Sequence, residues 1–494
     1  MEGLSNKIAD VLADRYFMWR WLLALGFLFM LIFSFRTLTT APRLWIDEAK
    51  NIEIAQSFNT EGKFDMQVAP GQFTNVPYLI QSTGYPVTGS LAVFFRIFGF
   101  GLVQARVFML LWMIATVLVL YRFLKHLFGE RAAVLAVLLV VTFASFYDNG
   151  RAMMGEIPGF FFLISGLYFW FCRESLPKAG LLLGLAVVTK PSVYFLIIPA
   201  LVLALVFRTG RVKNILILGV SMIPAALGWA FLVLDKPWSG ATWSSVFNLY
   251  GNPYNQVSIY ANVMKNLGDI IYTPTLIYFG VLFLVILVVR FSEKNFKYAL
   301  LYDFVSIYSI FAFIYYLRSP GWLRYIIVAE LLILALIPRS FGALFDRYGG
   351  YTAAFKLRLT HTSFAVVLSA CLIFIQTFHL FTGAKIFFSD GDIKAADYID
   401  KNFVGKQVAF FETLNVAIFK ERQERYMTIS DDVIPVLSRD NVFKNISPLS
   451  LPSLPDGVVS KIGFIFLPED AEVLARRYTF IKNVSGYDVH GIKN

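Results

Sequence analysis

Apolar stretches long enough to cross a bilayer alternate along this chain with short charged connections or with connections marked by Gly and Pro. A membrane-spanning helix needs roughly 20 apolar residues. On that measure the pattern predicts helices near 20–38, 103–121, 132–147, 157–172, 179–190, 192–207, 214–234, 273–290, 299–317, 322–338 and 363–383, about eleven in all. The 179–190 run is too short to span alone, and Lys190–Pro191 breaks it from the next. Two connections are long, 39–102 and 235–272. The first carries "FNTEGKFD" and "QSTGYPVTGS", turn-marked stretches around short amphipathic pieces, so it reads as an ordered structure lying at the membrane surface.

Past Lys385 the pattern changes. "IKAADYIDKN" and "PEDAEVLARRY" have helical spacing, whereas "KQVAFFET", "ERYMTIS" and "KIGFIFLP" read as short strands. The predicted fold class is a polytopic α-helical membrane protein: a membrane unit over 1–384, with 39–102 as its first outer loop, and a small soluble α/β domain over 385–494.

Composition sharpens this picture. With 57% hydrophobic and 16% charged residues and a mean hydropathy of +0.63, a soluble globular chain is excluded. Lys and Arg gather in alternate connections (Arg122, Lys125 and Arg131; Arg173 and Lys178; Arg208 and Lys213; Arg290 and Lys297; Arg339 and Arg347), which marks those connections as cytoplasmic. The N-terminus is then inside, and 39–102 and the C-terminal domain are outside. Residues 385–494 hold 14 Lys plus Arg against 15 Asp plus Glu, so the excess of +11 belongs to the membrane unit. The two cysteines, Cys172 and Cys371, both lie in apolar runs, which argues against a disulfide framework. "MEGLSNKIADVLADRYFMWR" lacks the pattern of a cleaved signal, so the first apolar run is expected to stay as an anchor. "NIS" at Asn445 and "NVS" at Asn483 fit glycosylation sequons, a triplet common by chance.

The candidate chemistry lies next to the apolar runs. "LWIDEAKN" puts Asp47 and Glu48 just after the first one. Asp47 suits either a helix N-cap or a general base held at the membrane surface. Adjacent helical residues point about 100° apart, so only one of the two faces a site, and Asp47 is the choice. "YDNGRAMMGEIPG" places Asp148, Arg151 and Glu156 at the outer ends of two helices, as a solvated turn or as part of a site. Lys190 is the one charge in "GLLLGLAVVTKPSVYFLIIPA". It either snorkels to the headgroups or binds an anion such as a lipid phosphate, helped by backbone N–H groups of the helix after Pro191. Arg318 and Arg324 in "LRSPGWLRY" are interfacial anchors or phosphate ligands, and Arg106 is ambiguous. Four scattered histidines and the absence of GxxxxGK[ST], GxSxG and HExxH leave no nucleotide or metalloprotease motif, and no nucleic-acid partner is expected.

Taken in order, Asp47–Glu48, "TGYPVTGSLAVFFRIFG", "QARVFML", "GRAMMGEIPGFFF", "GLLLGLAVVTK" and Arg324–Tyr325 resemble the GT-C glycosyltransferases, in the bacterial branch similar to protein O-mannosyltransferases and the lipid A aminoarabinose transferase. The resemblance implies inverting transfer of a sugar from a polyprenyl-phosphate donor to a lipid, glycan or protein acceptor, outside a bacterial plasma membrane. It implies Asp47 as general base, with Glu48 and Glu156 as further acidic site residues, and Lys190, Arg324, Arg151 and Arg318 around the donor phosphate. Glu156 could bind a divalent cation with Asp47 or organise the acceptor. The rival class is a secondary transporter or lipid flippase, which would also explain broken helices and charges at membrane depth.

Overall fold

The computed structural model describes residues 15–74, 77, 81–209, 212–234, 237–240, 242–244, 246, 258–292, 297–348, 361–383, 390–428, 449, 453–466 and 468–493; Asn445 lies outside them. The chain opens with helices α1 (Arg15–Arg36) and α2 (Ile46–Glu61) and a small antiparallel ribbon, β1 (Gln67–Ala69) and β2 (Gln72–Phe73). Helices α3 (Tyr85–Phe98), α4 (Leu102–Phe128), α5 (Glu130–Val141), α6 (Ala144–Arg151), α7 (Glu156–Phe171) and α8 (Leu176–Thr189) follow. Then come α9 (Pro191–Tyr194), α10 (Ile197–Thr209), α11 (Val212–Val233), α12 (Ile259–Asp269), α13 (Pro274–Ser292), α14 (Ala299–Arg318), α15 (Ile327–Tyr348) and α16 (His361–Gly383).

Helix fills every apolar run in the sequence. Among the described residues seven helices, α1, α4, α11, α13, α14, α15 and α16, are long and apolar enough to cross a membrane, and α5 with α6 makes an eighth candidate, bent by 67°. The remaining apolar runs are shorter helices: α7, α8 and the stretch from α9 into α10. The chain is thus a multi-pass membrane protein. Close packing in the bundle relies on small residues: a Cβ on Gly180 would sit 2.6 Å from the Leu218 carbonyl oxygen of α11, and one on Gly184 2.9 Å from the Met222 backbone. Helix α15 lies at the centre, with 89% of its apolar window buried.

The C-terminal part comprises α17 (Gly391–Asn402), β3 (Val408–Phe411), α18 (Leu414–Ala417), β4 (Arg425–Thr428), β5 (Gly457–Lys461), α19 (Pro468–Arg477), β6 (Tyr478–Val484) and β7 (Tyr487–Ile492). Its five strands form one mixed sheet in the order β4-β3-β5-β7-β6, with β4, β3 and β5 parallel. The strands differ from the expectation in two places. The strand expected over 461–468 lies earlier, at Gly457–Lys461, because the chain turns at Gly463, which has a positive φ. Strands β6 and β7 were not expected: they form a hairpin whose turn residues, Ser485 and Gly486, both have φ > 0. Asn483 donates to Asp488 across that hairpin at 2.8 Å.

The long connection over 39–102 is built into the protein's own core. Helix α2 is buried from Glu48 through Ala55. Its Ala49, Ile52 and Ile54 share one apolar core with Val87 and Leu91 of α3, Ala105 and Met109 of α4, and Ile399, Val408, Leu414 and Val489 of the C-terminal part. That core sits at one end of the bundle, beside the start of α4, the start of α7, the end of α8 and the start of α15.

Candidate active site

Three loop segments reach this end of the bundle only because glycine lets backbones touch. The Gly84 N–H donates to the Thr189 carbonyl at 2.9 Å, and a Cβ on Gly84 would stand 1.8 Å from the Val188 carbonyl oxygen. A Cβ on Gly155 would meet the Thr189 carbonyl oxygen at 2.6 Å. "TGYP", "GEIP" and "TKP" therefore converge on the end of α8. Tyr194 of α9 fixes the junction: its hydroxyl donates to the Glu156 carbonyl, and its ring packs where a Gly159 side chain would stand. From the other side, Asn51 of α2 donates to Thr83 Oγ1 at 3.0 Å and to the Met153 carbonyl at 2.8 Å.

Five charged side chains meet there. Arg324 Nη1 donates to Asp47 Oδ2 at 3.0 Å, Lys50 Nζ lies 3.6 Å from Asp47 Oδ1, and Lys190 Nζ lies 3.6 Å from Glu156 Oε1. Three cations thus face two carboxylates. Burial alone would raise the Asp47 pKa, but Lys50, Arg324 and Lys190 outweigh it and hold the carboxyl down at about 2. Burial lowers the Lys50 pKa against the opposing pull of Asp47. The set is not saturated. Both Glu156 carboxylate oxygens and Arg324 Nε are buried without a hydrogen-bond partner, although such groups are normally paired. Trp322 and Tyr325 flank the Arg324 guanidinium, with ring centroids at 4.5 and 5.6 Å.

The structure brings Asp47, Glu156, Lys190 and Arg324 together, as the sequence suggested, and sets other candidates apart. Asp47 is not an N-cap: the helix begins earlier, with Trp45 at the cap, and the carboxylate points to cations. Glu48 is fully buried against Arg106, accepting at 3.0 and 2.9 Å, and also accepts from the Met153 N–H at 3.3 Å. Arg106 spends its other donors on the Leu38 and Pro42 carbonyls, each at 2.8 Å. Arg151 donates to Thr37 and stacks near Phe33 and Tyr147. The Arg318 side chain lies over the Tyr315 ring. After Pro191 the Val193 and Tyr194 N–H groups bond the Lys190 carbonyl within a single turn.

Lys50 and Asn51 escaped the sequence reading. The available signal was the i,i+3 spacing of Lys50 from Asp47, which ordinarily marks a solvated pair. Among the described residues no three His, Cys, Asp or Glu side chains gather, and Asp47 and Glu156 are each faced by a protein cation.

This architecture has known counterparts. The chain matches ArnT from Cupriavidus metallidurans bound to undecaprenyl phosphate with a TM-score of 0.62 at 15% identity, covering 94% of this chain and 97% of that one. This is the GT-C glycosyltransferase fold. The Archaeoglobus fulgidus oligosaccharyltransferase tethered to an acceptor peptide matches at 0.56 and 12% identity, covering 97% of this chain and 74% of that one. The family model for dolichyl-phosphate-mannose-protein mannosyltransferases matches residues 89–238, which run from α3 into the connection after α11 and include Glu156 and Lys190. No curated protein matches in sequence. Asp47 and Arg324 fall outside the matched stretch and join it only through the fold.

Proposed function

We propose that the chain is an integral membrane glycosyltransferase that moves a sugar from a polyprenyl-phosphate donor to an acceptor hydroxyl, with inversion at the anomeric carbon. The observation that carries this reading is the unsaturated charge cluster at the loop end of a GT-C fold. Its three cations and two carboxylates leave one positive charge, which matches the single negative charge of a phosphodiester-linked sugar. Arg324, with an unpartnered Nε, and Lys190 are the phosphate ligands in this reading. Arg151 and Arg318, engaged elsewhere, take no direct part.

In the reaction, the acceptor oxygen attacks the anomeric carbon from the face opposite the phosphate. The bond between that carbon and the phosphate oxygen breaks, its electron pair leaves with the phosphate, and the acceptor proton passes to Asp47. The leaving phosphate gains a second negative charge, which Lys190, Arg324 and Lys50 stabilise. An aspartate with a pKa of about 2 is a weak base, so binding of the donor has to change its surroundings. A phosphate competing for Arg324 and Lys190 draws them from Asp47 and Glu156, which raises the proton affinity of Asp47 only when a sugar is in place. Glu156, whose two oxygens accept no hydrogen bond, then takes sugar hydroxyls.

The chain lies, in this reading, with about eleven crossings, its N-terminus inside and α2, the cluster and the C-terminal domain (385–494) outside a bacterial plasma membrane. A lipid-linked phosphate rests at headgroup height, so a base on a helix just beyond the bundle meets it there. The acceptor is a lipid, glycan or protein. No observation favours a transporter, because the charges form one cluster at a bundle end and not a midplane site between repeats. The test is turnover: purified protein in lipid nanodiscs should release free polyprenyl phosphate from polyprenyl-phosphate sugars when given a membrane extract as acceptor source. A preparation that binds the donor and never consumes it would overturn the proposal.

A further inference from the structure

Helix α2 is tied at both ends, and the two ends belong to different parts of the molecule. Its first turn is fixed to the bundle through Glu48–Arg106 and Asn51–Met153. Its second half is fixed to the C-terminal sheet. Glu53 is fully buried, and its Oε2 accepts from Arg425 at the start of β4, while Arg422 Nη2 stands 3.4 Å from its Oε1. Arg425 is itself 1% exposed and also donates to the Ala417 carbonyl of α18. Arg422 continues along the helix, donating to Ser57 at 2.9 Å and pairing with Glu61 at 2.9 Å. A buried glutamate requires its cation, so the second half of α2 stays where Arg425 holds it.

We infer that the Arg425–Glu53 pair is a positioning device for the reaction, through which the C-terminal sheet sets where Asp47 stands. Glu53 follows Asp47 by six residues, a rise of roughly 9 Å along a rigid helix. With the far anchor gone, α2 pivots about the Glu48–Arg106 clasp, and the Asp47 carboxylate moves relative to Arg324 and the bound sugar. Displacements on the order of 1 Å from a productive geometry cost about a hundredfold in rate. The donor-phosphate ligands Lys190 and Arg324 lie outside α2, so binding of the singly charged donor is spared, whereas Lys50, which meets the second charge of the leaving phosphate, moves with the helix. The inference rests on the proposed transferase reading, and its signature is a split between turnover and donor affinity.

The experiment compares wild type, Arg425→Gln and Arg425→Lys in nanodiscs, measuring kcat per folded molecule with a polyprenyl-phosphate sugar and the Kd of that same donor in the absence of acceptor. The expected result for Arg425→Gln is a kcat lowered about tenfold to a hundredfold with Kd within about twofold of wild type, and partial recovery of kcat in Arg425→Lys. An unchanged kcat per folded molecule, or a Kd that weakens in step with kcat, would overturn the inference. Should Arg425→Gln not fold, Arg422→Gln, at a less buried partner of the same helix, is expected to show the same split with a smaller drop, and equal kcat there would be equally contrary. Failure of the transferase reading is separate, since it appears as absent turnover in wild type.

Discussion

Asp47 and Glu48 are neighbours on one turn of helix and meet opposite fates. Glu48 is sealed: three donors reach its two oxygens, and Arg106 donates further to two carbonyls. Asp47 keeps 20% of its side chain exposed, beside a glutamate whose oxygens have no donors and an arginine with a spare Nε. The difference teaches how to separate charge that holds a fold from charge kept for a ligand. A saturated buried pair has nothing left to offer a substrate, whereas an unsaturated one at comparable depth does. Glu48, taken from the sequence as a further acidic site residue, falls on the structural side of that line.

The sharpest way to break the comparison is to unseal the closed pair. Arg106→Ala leaves Glu48 buried without a cation and should cost about 3–5 kcal/mol of stability, seen as a large drop in Tm or in folded yield. If Tm holds, the clasp is not what fixes α2. Next is the backbone approach at Gly84. Gly84→Ala forces a Cβ into the Val188 carbonyl, and overpacking of this kind costs about 1–3 kcal/mol. Since the displaced segment carries Lys190, kcat/KM should fall by more than Tm suggests, and equal activity would show that the junction tolerates movement. Lys190→Ala should then weaken donor affinity by about 1.5–3 kcal/mol, the range for a charge-assisted bond. Titration with undecaprenyl phosphate checks this, and unchanged affinity would return Lys190 to a merely structural pairing with Glu156.

The smallest expected effect is a shift in pH dependence. After burial, which raises the Asp47 pKa, the charge of Lys50 is the largest single pull that lowers it, with Arg324 adding both charge and a hydrogen bond. Lys50→Gln therefore raises that pKa from about 2 toward the ordinary aspartate range. A base must be ionised to work, so the acid limb of kcat/KM, which reports the free enzyme, should move to higher pH. The same depression in the folded chain contributes stability above the unfolded aspartate pKa, and that contribution is lost as pH falls through about 2. An acid limb that stays in place would remove Lys50 from the cluster.

Much of this architecture can be read from the sequence because lipid imposes long apolar runs, and every such run became helix. Asp47 stood out since adjacent acids seldom follow a membrane helix, and Lys190 since it interrupts an apolar stretch. What escaped depends on distance in sequence. Glu53 and Arg425 are 372 residues apart, and nothing local tells a buried glutamate on α2 from a solvated one. Lys50 looks like an ordinary i,i+3 partner until its burial is known. β6, "YTFIKNV", was missed because most of its residues face outward and the expected alternation is lost. The Glu48–Arg106 pair was hidden for the same reason as Glu53: each residue reads as a surface charge until the fold closes around it.

The central claim is that Asp47 is the base of a transfer from a lipid-linked phosphate. The most direct test measures polyprenyl phosphate release by wild type and Asp47→Asn in nanodiscs, alongside donor binding by both. The account predicts that Asp47→Asn binds the donor and releases its phosphate roughly a hundredfold to ten-thousandfold more slowly, the usual worth of a general base. Release by Asp47→Asn at the wild-type rate would contradict it.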